Sequence, residues 1–212
     1  MTTASVAEYY VAGRPEFVSF LQTEGSFPAA IDIGCAGGML GSTLLQQGIV
    51  QACDGVEPFP AAAELAGKSL RRVWQGSLES VADQIPWQDY ALVTMADVLE
   101  HLVDPWSALR FLHEKTAPGC RLALSVPNAR HYKVVLPLLF RGQFAYRDHG
   151  IMDRTHLHFF TADSIRDTLH ECGWKIVRRD SHMKKSYRRW YMPTRLLEPF
   201  VAVQHLMIAE KR

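Results

Sequence analysis

Short apolar runs alternate along the chain with stretches whose apolar residues recur at helical spacing, a pattern that predicts βαβ units and a mostly parallel sheet. Ala29 to Ile33 is the first strand-like run, and Gly34 to Gly38 breaks it. Leu40, Leu44 and Leu45 then predict a helix that Gly48 stops. Gln51 to Val56 reads as a second strand, followed by an alanine-rich helix from Pro58 to Ala66, with proline near its start. Arg71 to Gln75 is a weaker third strand, Asp89 to Ala96 a fourth, and Pro105 to Thr116 a helix with Leu109 and Leu112 on one face. Arg121 to Val126 is a fifth strand halted by Pro127. Thr161 to Ser164 starts a helix ending at Gly173, strand Trp174 to Arg178 follows, and Val201 to Ala209 is the last strand candidate. The fold class expected is α/β, with one doubly wound sheet. Arg130 to Phe160 and His182 to Pro199 fall outside the alternation, and long connections in such a domain tend to be functional.

Composition narrows the picture without redirecting it. The 212 residues, 48% of them hydrophobic, suit a single domain over 1–212. A net charge of +1 gives the whole chain no bias toward nucleic acid, and no apolar run reaches membrane-spanning length. The N-terminus lacks a basic stretch followed by an apolar one, so no signal peptide is expected and the chain reads as cytoplasmic. Cys35, Cys53, Cys120 and Cys172 form no CxxC pair, so neither zinc nor disulfides are expected of them.

Candidate chemistry begins in Ile31-Asp32-Ile33-Gly34-Cys35-Ala36-Gly37-Gly38, which places three glycines in five residues between a strand and a helix. Glycine there permits a tight turn and close ligand approach, and the helix start favours an electron-rich group. Position 36 is alanine where a nicotinamide fingerprint requires its second glycine, which argues against a dinucleotide. Glu57, at the end of the second strand, can accept both hydroxyls of a ribose; alone it would read as a loop carboxylate.

Asp32-x-Gly34-Cys35-Ala36-Gly37-Gly38 resembles the D-x-G-C-G-x-G motif of class I S-adenosylmethionine methyltransferases, with alanine for the second glycine and Glu57 at the family's ribose position. Met95 to Leu102 looks like the segment after the fourth strand in quinone-type O-methyltransferases, and Arg121 to Asn128 like their fifth strand. Glu8-Tyr9-Tyr10 with Arg14-Pro15-Glu16, and Gly150 to Thr161, look like a bacterial subgroup whose members often accompany or are fused to glycosyltransferases. The resemblance implies a Rossmann-like sheet with an antiparallel last strand. Residues 1–28 are expected to form an N-terminal helical cap, 130–160, too long for a simple connection after the fifth strand, an acceptor-binding lid, and 182–199, which matches nothing in the family, a second insertion. It implies S-adenosylmethionine as cofactor, S-adenosylhomocysteine as product, and a small-molecule or glycan acceptor methylated on oxygen or nitrogen. Asp32, Gly34, Cys35 and Gly38 would serve the methionine portion, Glu57 the ribose and Ser77 and Leu78 the adenine, with Ala96 and Asp97 closing over them. Many relatives carry aspartate where Ser77 stands. Tyr10 and Arg14 would meet the acceptor, and a homodimer is compatible with this reading.

For the chemistry itself, a hydroxyl acceptor must be aligned and deprotonated. His101 follows the fourth strand, and an imidazole titrates in the useful range. His156 and His158 share a face if their segment is extended, and His156 is expected to face the methyl group. The alternative role for either ring is to order the loop; a metal site through Asp153 lacks evident third and fourth ligands, so no metal is expected. Phe144 and Tyr146 are expected to hold the acceptor, and Leu136 to Phe140 reads as a lid helix or a lipid-facing patch. The Lys184-Lys185 and Arg188-Arg189 cluster reads as ordinary surface or a dimer contact. Two rival functions are an O-methyltransferase of a quinone-like aromatic and an inactive cofactor-binding scaffold.

Overall fold

The computed structural model describes residues 14–183 and 196–211. The seven strands are β1 (Ala30–Ile33), β2 (Cys53–Glu57), β3 (Val73–Gln75), β4 (Leu92–Ala96), β5 (Arg121–Pro127), β6 (Lys175–His182) and β7 (Gln204–Glu210). They form one sheet in the order β3-β2-β1-β4-β5-β7-β6, in which β7 runs antiparallel to both neighbours. β1 pairs in parallel with β2 on one side and β4 on the other, so the chain winds outward and then returns past its start. In open α/β sheets that reversal leaves a crevice beyond the carboxyl ends of the strands.

Helices cover both faces. α1 (Pro15–Gln22), α2 (Met39–Gln46) and α3 (Pro60–Ala66) lie on one side, where Phe17, Leu21, Leu40, Leu44 and Ala66 pack with Leu92, Ala123 and Ile208 of the strands. α4 (Leu78–Val81), α5 (Pro105–Lys115) and α7 (Ala162–Glu171) bring Leu78, Leu109, Leu112, Ile165 and Leu169 to the other. There they meet Ile31, Val93, Met95 and Leu124, because neighbouring strand residues point to opposite faces. Each fully buried leucine contributes about 1.5–3 kcal/mol. α6 (Tyr132–Arg141) lies inside the long connection after β5 and carries Pro137 within it, and α8 (Glu198–Val201) precedes β7.

Most predicted elements are present within a residue or two, with two differences at the C-terminal end. Val201 closes α8, which carries Pro199 in its first turn, and β7 begins only at Gln204. β6 runs on to His182 through Arg178, Arg179 and Asp180, with a bulge between Ile176 and Arg178. Of the expected cap over 1–28, the described residues hold α1 and the turn after it; residues 1–13, Tyr10 among them, lie outside the described residues, as does the 184–189 basic cluster.

Candidate active site

The glycine loop leaves β1 in a conformation that side chains resist. Gly34 and Gly38 have φ of +69° and +79°, and Ala36 between them has +49°. A Cβ on Gly38 would sit 2.9 Å from the Ala66 backbone, so helix α3 approaches the loop only because that position is bare. The loop's own amides are largely engaged: Gly34 and Cys35 N–H donate to Val56 O, and Gly38 N–H to Cys35 O. Glu57, buried at the end of β2, accepts from Ala36 N–H at 2.8 Å and Phe59 N–H at 3.0 Å. One carboxylate thus sets the loop and the following turn together. Burial pushes the Glu57 carboxyl above its usual value, and the two N–H donors work against that rise.

Asp32 is buried beneath the loop and accepts from the Thr94 hydroxyl of β4 at 2.6 Å. Burial pushes its carboxyl up to about 7, despite the lowering influence of Thr94 and Arg14. Cys35 turns its thiol into the core against Gly55, where a Cβ would meet the sulfur at 2.6 Å; only its backbone faces the loop. Ser77 accepts from Ser80 N–H as the N-cap of α4, and Leu78 is buried in the core.

Asp97, one residue beyond β4, gathers three separate parts of the chain. It accepts from the Ser125 hydroxyl of β5 at 2.6 Å, from Gln204 of β7 at 2.5 Å, and from the Arg14 guanidinium, which also reaches Ala96 O at 3.4 Å. Asp97, Ala36 and Arg14 are the non-glycine residues with positive φ among those described. Backbone in that region costs on the order of 1–3 kcal/mol per residue and clusters at functional sites. All three residues belong to this one place: Arg14 and Asp97 are bonded to each other, and Ala36 is bonded to Glu57.

The histidines come next. A 3₁₀ turn, Leu99–His101, follows Asp97, and the carbonyl of Glu100 accepts N–H from both Leu157 and His158. That pair of bonds brings the insertion to the end of β4. The His101 and His156 rings meet edge to face with centroids 4.8 Å apart. His101 Nδ1 bonds to Thr155 O at 3.2 Å and His156 Nδ1 to Ile151 O at 3.0 Å, so each ring has its other nitrogen left for chemistry. Burial and the neighbouring His156 push the His101 pKa below its usual value. His158 bonds instead to Val103 O at 3.3 Å and stacks edge-on against Trp106. Asp153 caps its own turn through the Thr155 amide and hydroxyl.

Sequence reasoning missed Glu100. Its carboxyl is buried with no hydrogen-bond partner on either oxygen among the described residues, and burial, then Asp97, pushes its pKa well above the usual carboxylate range. Its donor atoms and those of His101 and His156 lie within 4.8 Å of one another. In number these three groups match the protein ligands of an open metal site. The available signal was an acid beside His101 in a strand-to-helix turn, which spacing alone does not mark as buried. Phe159 was also missed: it lies 5.4 Å from Phe144, 6.0 Å from Tyr146 and 6.2 Å from His156, and so joins the predicted aromatic pair to the histidines.

The architecture is shared with solved methyltransferase structures. A SAM-dependent methyltransferase from Archaeoglobus fulgidus matches with TM-score 0.71 and 15% identity, covering 100% of both chains. A SAM-dependent methyltransferase from Thermotoga maritima, described as a possible histamine N-methyltransferase, matches at 0.67 and 15%, over 100% of this chain and 96% of that one. At these identities the likeness is one of fold. The chain belongs to the methyltransferase domain family, which it matches over residues 7–179. Among its relatives, the mitochondrial ubiquinone biosynthesis O-methyltransferase of Schizosaccharomyces pombe is 31% identical over 153 residues, 69% of this chain and 54% of that protein. The ubiquinone biosynthesis O-methyltransferase of Vibrio atlanticus is 35% identical over 121 residues, 54% of this chain and 50% of that protein. The chain spans about half the length of these curated relatives.

Proposed function

We propose that the chain transfers a methyl group from S-adenosylmethionine to a hydroxyl oxygen of a small-molecule acceptor. The observation that carries the reading is the convergence, beyond the carboxyl ends of β1, β2 and β4, of the strained Ala36 and Asp97 backbones with the facing His101 and His156 rings. The residues suit the cofactor: buried carboxylates at Asp32 and Glu57 offer acceptors for an ammonium group and for ribose hydroxyls, beside a loop where glycine keeps the approach open. Asp97 and Ala96 close that side, and Ser77 stands beyond β3. S-adenosylmethionine supplies a methyl group already activated on a sulfonium. What remains for the chain is to align the acceptor, exclude water and take its proton. His156 takes that proton, with the His101 ring packed against it.

An aromatic acceptor is favoured by Phe144, Tyr146 and Phe159, which form edge-to-face and tilted contacts next to His156 and offer ring faces to stack on. Relatives named for ubiquinone biosynthesis support the same class. A thermal-shift series with S-adenosylhomocysteine and NAD tests the donor. Saturating S-adenosylhomocysteine, at about 100 times its Kd, should stabilise the chain by about 2.7 kcal/mol. Stabilisation by NAD alone would overturn the reading.

A further inference from the structure

α6 carries an apolar stripe that the described residues leave largely exposed. Leu136, Leu139 and Phe140 follow one another at helical spacing and are 46%, 70% and 76% exposed; Val134 is the helix's buried residue. Every residue from 138 to 150 is exposed. Exposed large apolar side chains in such a row mark an interaction site rather than ordinary surface.

Along the segment that holds the stripe the charge is of one sign, and Asp148 just beyond it is paired with Arg154. Between Ala129 and Arg147 the sequence holds Arg130, Lys133, Arg141 and Arg147 and neither aspartate nor glutamate, in a chain whose net charge is only +1. Lys133, Arg141 and Arg147 are exposed. Leucines and a phenylalanine flanked by cations complement a surface that is apolar within and anionic at its rim, as a phospholipid bilayer is. A ten-residue helix is only about 15 Å long, half of a bilayer's hydrocarbon core, so it can lie in the interface but not cross it. The apolar surface also continues inward. Phe144 and Tyr146 are half-exposed beside the helix end, Phe159 lies between them and His156, and His156 meets His101.

We infer that α6 is an interfacial anchor, which lays Leu136, Leu139 and Phe140 into the acyl boundary of an anionic phospholipid membrane while Lys133, Arg141 and Arg147 meet its phosphates. The aromatic row then opens toward the bilayer, so that an amphiphile can reach the histidines without crossing water. The anchor goes beyond methyl transfer and does not depend on it.

Vesicle co-sedimentation of the full chain tests the anchor. Binding is expected to phosphatidylcholine vesicles containing phosphatidylglycerol, weaker binding to phosphatidylcholine alone, and loss of the difference at high salt. Leu139→Glu with Phe140→Glu should lower partition more than tenfold. Lys133→Glu with Arg141→Glu should lower it at least about fivefold per site, from about 1 kcal/mol for each basic residue at an anionic surface. These positions are exposed, so circular dichroism and S-adenosylhomocysteine affinity should match wild type, which separates failure of the anchor from failure of the donor site. Absence of binding to the anionic vesicles, or binding that both variant pairs leave unchanged, overturns the inference. So does a dimer in sedimentation velocity that Phe140→Glu splits while vesicles are ignored, which would assign the stripe to a second copy of the chain.

Discussion

The glycine-loop side of the site and the insertion opposite it are built in contrasting ways. Every residue of β1 and β2 is buried, and the loop between β1 and α2 is fastened by backbone bonds to Val56 and by both oxygens of Glu57. The insertion is fastened at its root, where Leu157, His158 and Thr155 meet the turn after β4 and Ala129 bonds to Phe160, and its helix is tucked in through Val134. Its tip, 138–150, is exposed throughout. The contrast teaches a division of labour. On the function proposed above, a cofactor of constant shape would meet a preorganised wall, and a variable acceptor a few aromatic and imidazole groups on a connection that can vary without disturbing the sheet.

The sharpest way to break this division is through His156, which belongs to the insertion yet reaches the centre. His156→Ala should lower turnover about 10²–10⁴-fold if the ring is the general base, with donor affinity intact. S-adenosylhomocysteine release with a catechol acceptor, set beside calorimetry of the donor, reads both quantities. A parallel loss of donor affinity would show that the two sides are not separable. Glu57→Ala probes the opposite wall and should weaken S-adenosylmethionine binding by about 1.5–3 kcal/mol, the range for charge-assisted hydrogen bonds. Unchanged affinity in calorimetry would remove Glu57 from the donor site.

The pH dependence of that wall follows from Asp32. With its folded pKa at about 7 against an ordinary 3.8, the carboxyl contributes stability that is present below about 3.8 and lost as pH rises through about 7. A positively charged donor favours the ionised form, so binding at low pH must first release a proton. Affinity should therefore rise about tenfold between about pH 6 and about pH 8, and Asp32→Asn should flatten both this rise and the stability slope. Calorimetry in buffers of different ionisation enthalpy measures the proton released; a flat profile in wild type would contradict the assignment. The smallest effect is expected at the tip. Tyr146→Ala should raise the KM for the acceptor a few-fold and change stability by less than about 0.5 kcal/mol, as exposed substitutions usually do. A large change in donor affinity there would mean that the tip folds over the cofactor.

Much of the fold was legible because its signals are local. The α7 start was readable since Thr161 and Ser164 cap each other, Thr161 N–H donating to the Ser164 hydroxyl at 2.8 Å and Ser164 N–H to Thr161 Oγ1 at 3.2 Å. The glycine loop was readable because positive φ selects glycine at 34 and 38. The far half of β6 was not readable: Arg178 to His182 has no apolar alternation, and its extended form comes from pairing with β7. The end of the chain misled for a related reason, since Val201 is apolar enough for a strand but follows a proline in the first turn of a helix.

The sequence by itself determined the order of strands and helices, the loop chemistry between β1 and α2, and the acid ending β2, because each depends on residues within a few positions of one another. Only the tertiary structure decided what surrounds Asp97, whose partners Ser125, Arg14 and Gln204 stand 28, 83 and 107 positions away. It alone decided that His101 meets His156, that Glu100 is buried beside them without a hydrogen-bond partner among the described residues, and that the leucines of α6 face outward. The physical reason is range. Backbone propensity and capping act over a turn or two, whereas burial and charge depend on which distant segment the sheet brings alongside.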